Sequence, residues 1–315
     1  MSDSQIHDQL RFLGALAPSS IPLNEADAAI VGVAYDGAVS YRSGAKDGPT
    51  ALRMASNSIE SYCPLLDMDL DTMRYVDLGN LDLQSLQDCP QKLMDHLQSQ
   101  LDRWPTAKEL PMIGIGGDHL VAYPFVVRAL RDFSNLQILH IDAHGDLRQD
   151  WEGQAFNHST ILRRVLDILP ENASIHRWGI RSGTKEEFTL ARNHPRIETA
   201  PNTLAGGLDL IDRMLKNGRP IYLTLDVDGI NPADIPGTGT PEPGGLSFFD
   251  VETVLDQIAR DIVKSESCFV GADIVELAPS LDPSGRSQVA AARLLRTILL
   301  LVQASTRSAS YGTNP

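Results

Sequence analysis

Acidic and imidazole side chains recur at three points of the chain, each directly after a run of apolar residues. The motifs are GGDH at residues 116–119, DAHGD at 142–146 and DVD at 226–228. On an extended chain, side chains at alternate positions point to the same side, so both ligands of a pair can face one cavity. The spacing therefore predicts a hydrolytic site that holds two metal ions.

Two divalent cations about 3.5–4 Å apart need roughly four protein ligands each and a carboxylate that bridges them. One set in the sequence is His119, Asp142, Asp146 and Asp226, and the other is Asp142, His144, Asp226 and Asp228. Three carboxylates and one imidazole suit manganese better than a metal that prefers thiolates. Water held between two such cations loses a proton near neutral pH and becomes a nucleophile.

The three motifs end predicted strands of a parallel sheet. Continuous apolar runs predict strands at residues 28–33, 111–115, 136–141, 174–180, 220–225 and 268–274. Helical patterns follow at residues 89–103, 124–133, 158–169, 208–216, 249–264 and 287–302. Strands alternating with helices favour an α/β fold with a largely parallel sheet, whose ligands bind at the carboxyl ends of the strands. We predict one domain over residues 1–315, with an extension at about 1–22 and a flexible tail at about 304–315.

The composition argues against nucleic-acid and membrane partners. Acidic residues outnumber basic ones by 41 to 27, which gives a net charge of -14. Such a surface attracts cations, but solubility by itself would also account for the excess of acidic residues. Three scattered cysteines and an N-terminus without signal-peptide features indicate a cytoplasmic protein with reduced thiols. The apolar stretch 294–302 contains Arg296 and is too short to cross a bilayer.

Two further residues carry alternative interpretations. Glu276 follows the last predicted strand, where a carboxylate can hold a planar guanidinium or belong to a buried ion pair. His158 opens a predicted helix beyond the DAHGD motif and can carry protons or merely occupy the helix N-terminus.

The chain resembles the ureohydrolase (arginase/agmatinase) family, and most of all its agmatinase branch. The matching segments are VSYRSG at 39–44, GP at 48–49, GGDH at 116–119, DAHGDLR at 142–148, GIRSG at 179–183, DVDGINP at 226–232, PGTGTPEPGGL at 236–246 and ELAP at 276–279. They extend from about residue 28 to about residue 300. Asp47, Asn80 and Asn157 depart from the branch pattern, and none of them is a metal ligand of the resemblance.

The resemblance implies a three-layer α/β/α fold around a mostly parallel eight-stranded sheet, and a centre of two Mn²⁺ ions per subunit. The metal ligands carried over by position are His119, Asp142, His144, Asp146, Asp226 and Asp228. Asp146 would also orient the attacking hydroxide, His158 would transfer protons, and Glu276 would bind the guanidinium. Family members usually assemble as trimers or hexamers.

The implied reaction is hydrolysis of a guanidino compound to urea and an amine, with agmatine giving putrescine as in polyamine biosynthesis. In the loop at residues 148–157, Asp150 and Glu152 can attract an amine, and Asn157 can tune substrate choice, whereas Arg148 opposes an amine. Guanidinobutyrate, arginine and other guanidino compounds are the alternative substrates. A zinc deacetylase of similar fold needs only one metal, and a non-catalytic family member usually lacks ligands; here all six are present.

Overall fold

An eight-stranded parallel sheet forms the centre of the computed structural model, which describes residues 10–83, 86 and 88–311, with side chains through residue 306. The strands are β1 (Ala28–Gly32), β2 (Tyr62–Cys63), β3 (Met68–Asp69), β4 (Tyr75–Asn80), β5 (Met112–Ile115), β6 (Gln137–Ile141), β7 (Ser174–Trp178), β8 (Ile197–Thr199), β9 (Ile221–Asp226) and β10 (Phe269–Val275). The sheet order is β4-β1-β5-β10-β9-β6-β7-β8, while β2 and β3 form a separate antiparallel pair. The predicted mostly parallel eight-stranded sheet is confirmed.

Helices cover both faces of this sheet and make three layers. They are α1 (Gly48–Ser56), α2 (Pro90–Leu101), α3 (Ala122–Asp132), α4 (Ile161–Ile168), α5 (Lys185–Asn193), α6 (Leu204–Lys216), α7 (Phe248–Ile262) and α8 (Arg286–Tyr311). In one layer α1 contacts α8, α8 contacts α7 and α7 contacts α6, and the other layer contains α2, α3 and α4. Both α3 and α8 contact β10, so this central strand is buried on both faces, as its continuous apolar sequence predicts.

The six strands predicted from apolar runs all form, with ends within two residues of the predicted ones. Strands β4 and β8 were not predicted from the apolar pattern. Strand β4 contains Asp77 and Gly79, and the three residues of β8 include Glu198. Both strands lie at the edges of the sheet, where neighbours cover less of a strand and polar residues interrupt the apolar pattern.

The last helix is longer than the apolar stretch at residues 294–302 suggested. Its segment Arg286–Thr306 is 21 residues long and apolar enough to cross a membrane, but 78% of that apolar stretch is buried inside the protein. Arg296 is buried within it and donates hydrogen bonds to the carbonyl oxygens of Glu60 and Tyr62. The burial identifies α8 as a core helix that packs against β10, α1 and α7.

The two proposed terminal segments lie partly outside the described residues. Residues 1–9 and 312–315 are outside them, as are the side chains of 307–311. Within the described part, Phe12 is fully buried and donates its backbone N–H to Asp77, and the backbone of α8 continues to Tyr311.

Candidate metal centre and active site

Four central strands bring the predicted site residues to one edge of the sheet. Strands β5, β10, β9 and β6 are neighbours in this order. His119 follows β5, Glu276 follows β10, Asp226 ends β9 and Asp142 follows β6. Because all four strands are parallel, their carboxyl ends meet, and residues more than 150 positions apart converge there.

The first cluster is centred on the imidazole of His119. Its Nδ1 lies 3.0 Å from Asp142 Oδ2, 3.0 Å from Asp146 Oδ2 and 3.4 Å from Asp226 Oδ2. All four side chains are buried. The set predicted from spacing is therefore brought together around one nitrogen atom.

The tautomer of His119 follows from its hydrogen-bond partners. The hydroxyl of Thr224 donates to Asp273 Oδ1 at 2.7 Å and lies 2.8 Å from His119 Nε2. Since the only proton of that hydroxyl is already donated, Thr224 must accept from Nε2–H. The lone pair of Nδ1 then faces three carboxylate oxygens, and Nδ1 makes no hydrogen bond. Such an arrangement is repulsive unless a cation or a proton lies between these atoms.

The second cluster shares Asp142 with the first. His144 Nδ1 lies 3.0 Å from Asp228 Oδ2 and 3.5 Å from Asp142 Oδ1, and the three residues form one group of possible metal ligands. Asp228 is further fixed by hydrogen bonds from the Thr240 hydroxyl and the Ala143 amide. A shared carboxylate between two imidazole-containing sets matches the predicted bridging arrangement.

Burial and mutual repulsion shape the charges of these carboxyl groups. Burial, followed by the charges of Asp228 and Asp142, raises the pKa of Asp226 well above its usual value. Burial and the charge of Asp142 raise the pKa of both Asp146 and Asp228. Burying so many carboxylates is costly unless cations compensate them, and carboxylate and imidazole ligands suit divalent metals. The donor set and the unpaired Nδ1 of His119 therefore fit metal ions.

Two of the predicted catalytic residues have a strained backbone. Asp146 has a φ of 50° and Glu276 a φ of 64°, in the left-handed region that residues other than glycine rarely adopt. Strain of this kind costs about 1–3 kcal/mol and persists where the surrounding structure holds it. It is typical of functional sites, and here it occurs at two residues whose carboxylates both contact His119.

Within the described residues, one carboxylate oxygen of Glu276 accepts hydrogen bonds and the other accepts none. Its Oε1 accepts the backbone N–H of His119 at 2.9 Å and lies 3.1 Å from His158 Nδ1. Its Oε2 makes no hydrogen bond to any part of the chain that the structure describes. Glu276 is only 1% exposed and is not among the residues that line the cavity, whereas its partner His158 is.

His158 is held by the turn that begins α4. Asn157 and Thr160 form a capping box, and the Asn157 amide also donates to the carbonyl oxygen of Ala38. Burial lowers the pKa of His158, but the hydrogen bond and charge of Glu276 outweigh it and raise the pKa to about 9. The side-chain amide of Asn157 is thus hydrogen-bonded to other parts of the protein, and its predicted role in substrate binding stays a prediction.

A cavity of about 240 Å³ opens onto both clusters. Its wall includes His144, Asp146, Asp226 and His158. Arg148 and Trp151 also line it, with the guanidinium carbon 4.9 Å from the centre of the Trp151 ring. Arg148 thereby supplies a cation near the mouth of the cavity.

The two acidic residues expected near the far end of a substrate lie elsewhere. Asp150 and Glu152 are exposed and do not belong to the lining of this cavity. Asp150 Oδ1 accepts the backbone N–H of Gly153, and the backbone of Glu152 has a φ of 50°, so both belong to a turn beside the cavity. Their predicted contact with a substrate amine stays a prediction.

Several site residues were missed from the sequence. His140, two residues before Asp142 on β6, lies 2.8 Å from Asp142 Oδ2 and belongs to the first group of possible ligands. The alternation along the strand that placed His144 could also have indicated His140. Glu242 lies 3.7 Å from His144 Nε2 and accepts the Ser182 hydroxyl, contacts for which the sequence gives no local signal.

Comparisons with known proteins agree with this geometry. The model of the arginase family matches residues 26–301. Among relatives, an agmatinase from Bacillus anthracis is 37% identical over 277 residues, which are 88% of this chain and 92% of that protein. An N(1)-aminopropylagmatine ureohydrolase from Thermococcus kodakarensis is 33% identical over 79% of this chain and 82% of that protein.

Solved structures show the same architecture. The agmatine ureohydrolase of Thermoplasma volcanium superposes with a TM-score of 0.77 at 28% identity, covering 96% of this chain and 99% of that one. The proclavaminate amidino hydrolase of Streptomyces clavuligerus gives 0.80 at 27% identity, covering 93% and 96%. The resemblance stated from the motifs is confirmed, and the chain belongs to the arginase family.

Proposed function

We propose that the protein hydrolyses agmatine to putrescine and urea. The observation that carries the hydrolytic part is the convergence of six carboxylate and imidazole side chains beside His158 and Glu276 at one sheet edge. The agmatinases that are about 37% identical over most of the chain support the substrate. We further propose, as the family resemblance implies, a cytoplasmic enzyme of polyamine biosynthesis that assembles as a homo-oligomer, a trimer or a hexamer.

Two Mn²⁺ ions per subunit are the proposed cofactor. One would be held by His119, Asp142, Asp146 and Asp226, and the other by Asp142, His144, Asp226 and Asp228. The contacts above support the whole first set and, in the second, Asp142, His144 and Asp228, whereas the ligand spacing in the sequence places Asp226 there. When bound, the ions lower the pKa of water towards neutrality and neutralise charge that develops in the transition state. His140 lies within the first group as a partner of Asp142 that holds this carboxylate in place.

Three residues of the chain would act on the guanidinium group. Oε2 of Glu276 accepts an N–H of the guanidinium in a charge-assisted hydrogen bond, while Oε1 stays fixed by the His119 amide. Asp146 accepts a proton of the attacking oxygen and so orients it. His158 delivers a proton to the departing nitrogen, because an amine leaves far more readily than an amide anion.

Charged residues of both signs lie beside the cavities that would receive the far end of the substrate. Glu242, about one-third exposed, lies at the edge of a second shallow cavity that also contains His144 and Thr240. A carboxylate in that position suits the ammonium of agmatine. Arg148 in the wall of the main cavity instead favours a carboxylate, although Glu187 lies 3.7 Å from its Nε and offsets its charge.

Because of Arg148, a hydrolase acting on a guanidino acid such as 4-guanidinobutyrate is the second candidate, and an arginase is the third. Urea release from manganese-loaded protein should be measured with agmatine, 4-guanidinobutyrate and arginine in parallel. We expect the highest kcat/KM for agmatine. A higher kcat/KM for 4-guanidinobutyrate would change the proposed substrate but not the proposed metal chemistry. No urea from any guanidine would refute the proposed function.

A further inference from the structure

Ser40 contacts His158 through two of its atoms. Its backbone N–H donates to His158 Nε2 at 3.0 Å, and its Oγ lies 2.8 Å from the same nitrogen. A backbone amide can only donate, so Nε2 is an acceptor and carries no proton in this arrangement. The ring proton therefore lies on Nδ1, which is 3.1 Å from Glu276 Oε1. The backbone of Ser40 thus selects the tautomer of His158.

The segment that carries Ser40 is anchored on both sides. Before it, the backbone N–H of Ala38 donates to Asp118 Oδ2 at 2.9 Å. After it, Arg42 Nη2 donates to the carbonyl oxygen of Thr238 at 2.8 Å. These contacts join the segment to the loops that follow β5 and β9. Ser40 is consequently held in a defined position relative to the ring of His158.

The Ser40 hydroxyl lies between the buried ring of His158 and the solvent. His158 is 8% exposed, whereas Ser40 is exposed, and both residues line the main cavity. Within the described residues, Ser40 is the one partner of His158 Nε2. A proton that moves between solvent and this buried nitrogen along hydrogen bonds of the protein therefore passes through Ser40 Oγ.

We propose that Ser40 is a positioning residue that connects His158 to solvent: its amide fixes the Nδ1–H tautomer, and its hydroxyl passes protons to Nε2. This role rests on the proposed function. As the Oγ–H bond breaks and the Nε2–H bond forms, Oγ takes a proton from a solvent water and the hydroxyl is regenerated. The hydroxide left in the solvent is neutralised by the proton that the nucleophilic water gives up, and the charged ring becomes neutral again when it delivers a proton to the departing nitrogen. Protonated Nε2 no longer accepts the Ser40 amide, so this contact favours the neutral ring, whereas the hydrogen bond and charge of Glu276 favour the charged ring.

The Ser40→Ala variant removes the hydroxyl and keeps the amide. We expect kcat for urea release to fall about tenfold or more, a share of the 10²–10⁴ typical of general acid–base catalysis. KM for agmatine and the metal content per chain should stay within about twofold, since Ser40 contacts neither Glu276 nor a proposed metal ligand. Ser40→Thr, which keeps a hydroxyl at an exposed position, should recover kcat.

Ser43→Ala is the matched control, because Ser43 is exposed, lies in the same segment and makes no hydrogen bond within the described residues. It should behave like the wild type. Wild-type kcat in Ser40→Ala would overturn the role of the hydroxyl, as would a loss of kcat that Ser40→Thr does not restore.

A second measurement is independent of turnover. ¹⁵N NMR of the imidazole nitrogens at a pH above about 9, where the neutral ring of His158 predominates, should show the Nδ1–H tautomer in the wild type and in Ser40→Ala. His158→Asn identifies the signal of residue 158. The Nε2–H tautomer in the wild type would overturn the proposed contact. Absence of urea from the wild type would refute the proposed function, whereas wild-type urea release with unchanged kcat in Ser40→Ala would overturn only the role of Ser40.

Discussion

At the scale of single residues, hydrogen bonds within the protein engage one polar atom of a site side chain and leave another polar atom of the same side chain facing the site. Thr224 accepts His119 Nε2–H and donates to Asp273, and this leaves Nδ1 to face the carboxylates. The His119 amide holds one oxygen of Glu276 and leaves the other unbonded. Each of these contacts fixes the direction of the atom that does the chemistry, which is how neighbouring residues tune a metal site.

Glu276→Gln tests the binding of the guanidinium. The amide oxygen can still accept the His119 N–H, so the loop should keep its conformation, but the negative charge is lost. We expect KM for agmatine to rise about tenfold to a hundredfold, the value of a hydrogen bond to a charged group. Metal content by elemental analysis should match the wild type. Loss of metal would show that Glu276 is a ligand instead.

Asp228→Ala tests the second proposed ligand set. Removing the carboxylate that lies 3.0 Å from His144 Nδ1 should lower metal occupancy and reduce urea release by at least about a thousandfold. The control is Asp209→Ala, an exposed carboxylate on α6 without a hydrogen bond within the described residues. Full metal content together with unchanged urea release in Asp228→Ala would contradict the ligand role.

At the scale of elements, the start of α8 is tied to a loop of the site. Asp282 Oδ2 accepts both the N–H and the hydroxyl of Ser287, at 2.8 Å and 2.6 Å. Ser287 Oγ in turn accepts the backbone N–H of Gly237 at 2.9 Å. Thr240, which donates to Asp228, follows in the same loop. The core helix therefore supports the loop that orients a proposed metal ligand.

Asp282→Ala should lower the free energy of unfolding by about 2–3 kcal/mol, because the buried N–H and hydroxyl of Ser287 and the N–H of Ser284 in the preceding turn lose their acceptor. Burial alone would raise the pKa of Asp282, but the hydrogen bonds from Ser284 and Ser287 lower it from 3.8 to about 2. Its contribution is thus present above about pH 4 and is lost as the pH falls towards 2. Denaturant unfolding at pH 7 measures the loss of stability in Asp282→Ala, and unfolding at pH 3 measures how much of the contribution of Asp282 is lost in acid; Ser280→Ala is the control. Equal stability of Asp282→Ala and the wild type at pH 7 would contradict the contribution of Asp282.

The sequence was sufficient to predict the central strands and the loops that carry the proposed ligands. Strands such as β9 and β10 are mostly apolar and buried throughout because both faces are covered. Asp142 and Asp226 stand at strand ends, and His119 follows four residues after the end of β5. The contact of Ser40 with His158 joins residues 118 positions apart, so no local period could reveal it. Such contacts depend on how loops fold over the sheet edge, which apolar patterns do not encode.

At the scale of the whole molecule, the charge of -14 should attract a cationic substrate. Agmatine carries two positive charges near neutral pH, whereas 4-guanidinobutyrate carries no net charge. Raising the ionic strength from about 0.01 M to 0.15 M shortens the screening length from about 30 Å to 8 Å. We expect kcat/KM for agmatine to fall several-fold over this range, and that for 4-guanidinobutyrate to change little. An equal response of both substrates would exclude a role for the acidic surface.

The dependence of urea release on metal tests the central claim most directly, since the whole sheet edge is organised around two carboxylate–imidazole clusters. Protein stripped by a chelator should be titrated with Mn²⁺ while urea release from agmatine and bound metal per chain are measured together. We predict no urea release from the stripped protein and full recovery at two ions per chain. Urea release that persists after complete removal of metal would contradict the account.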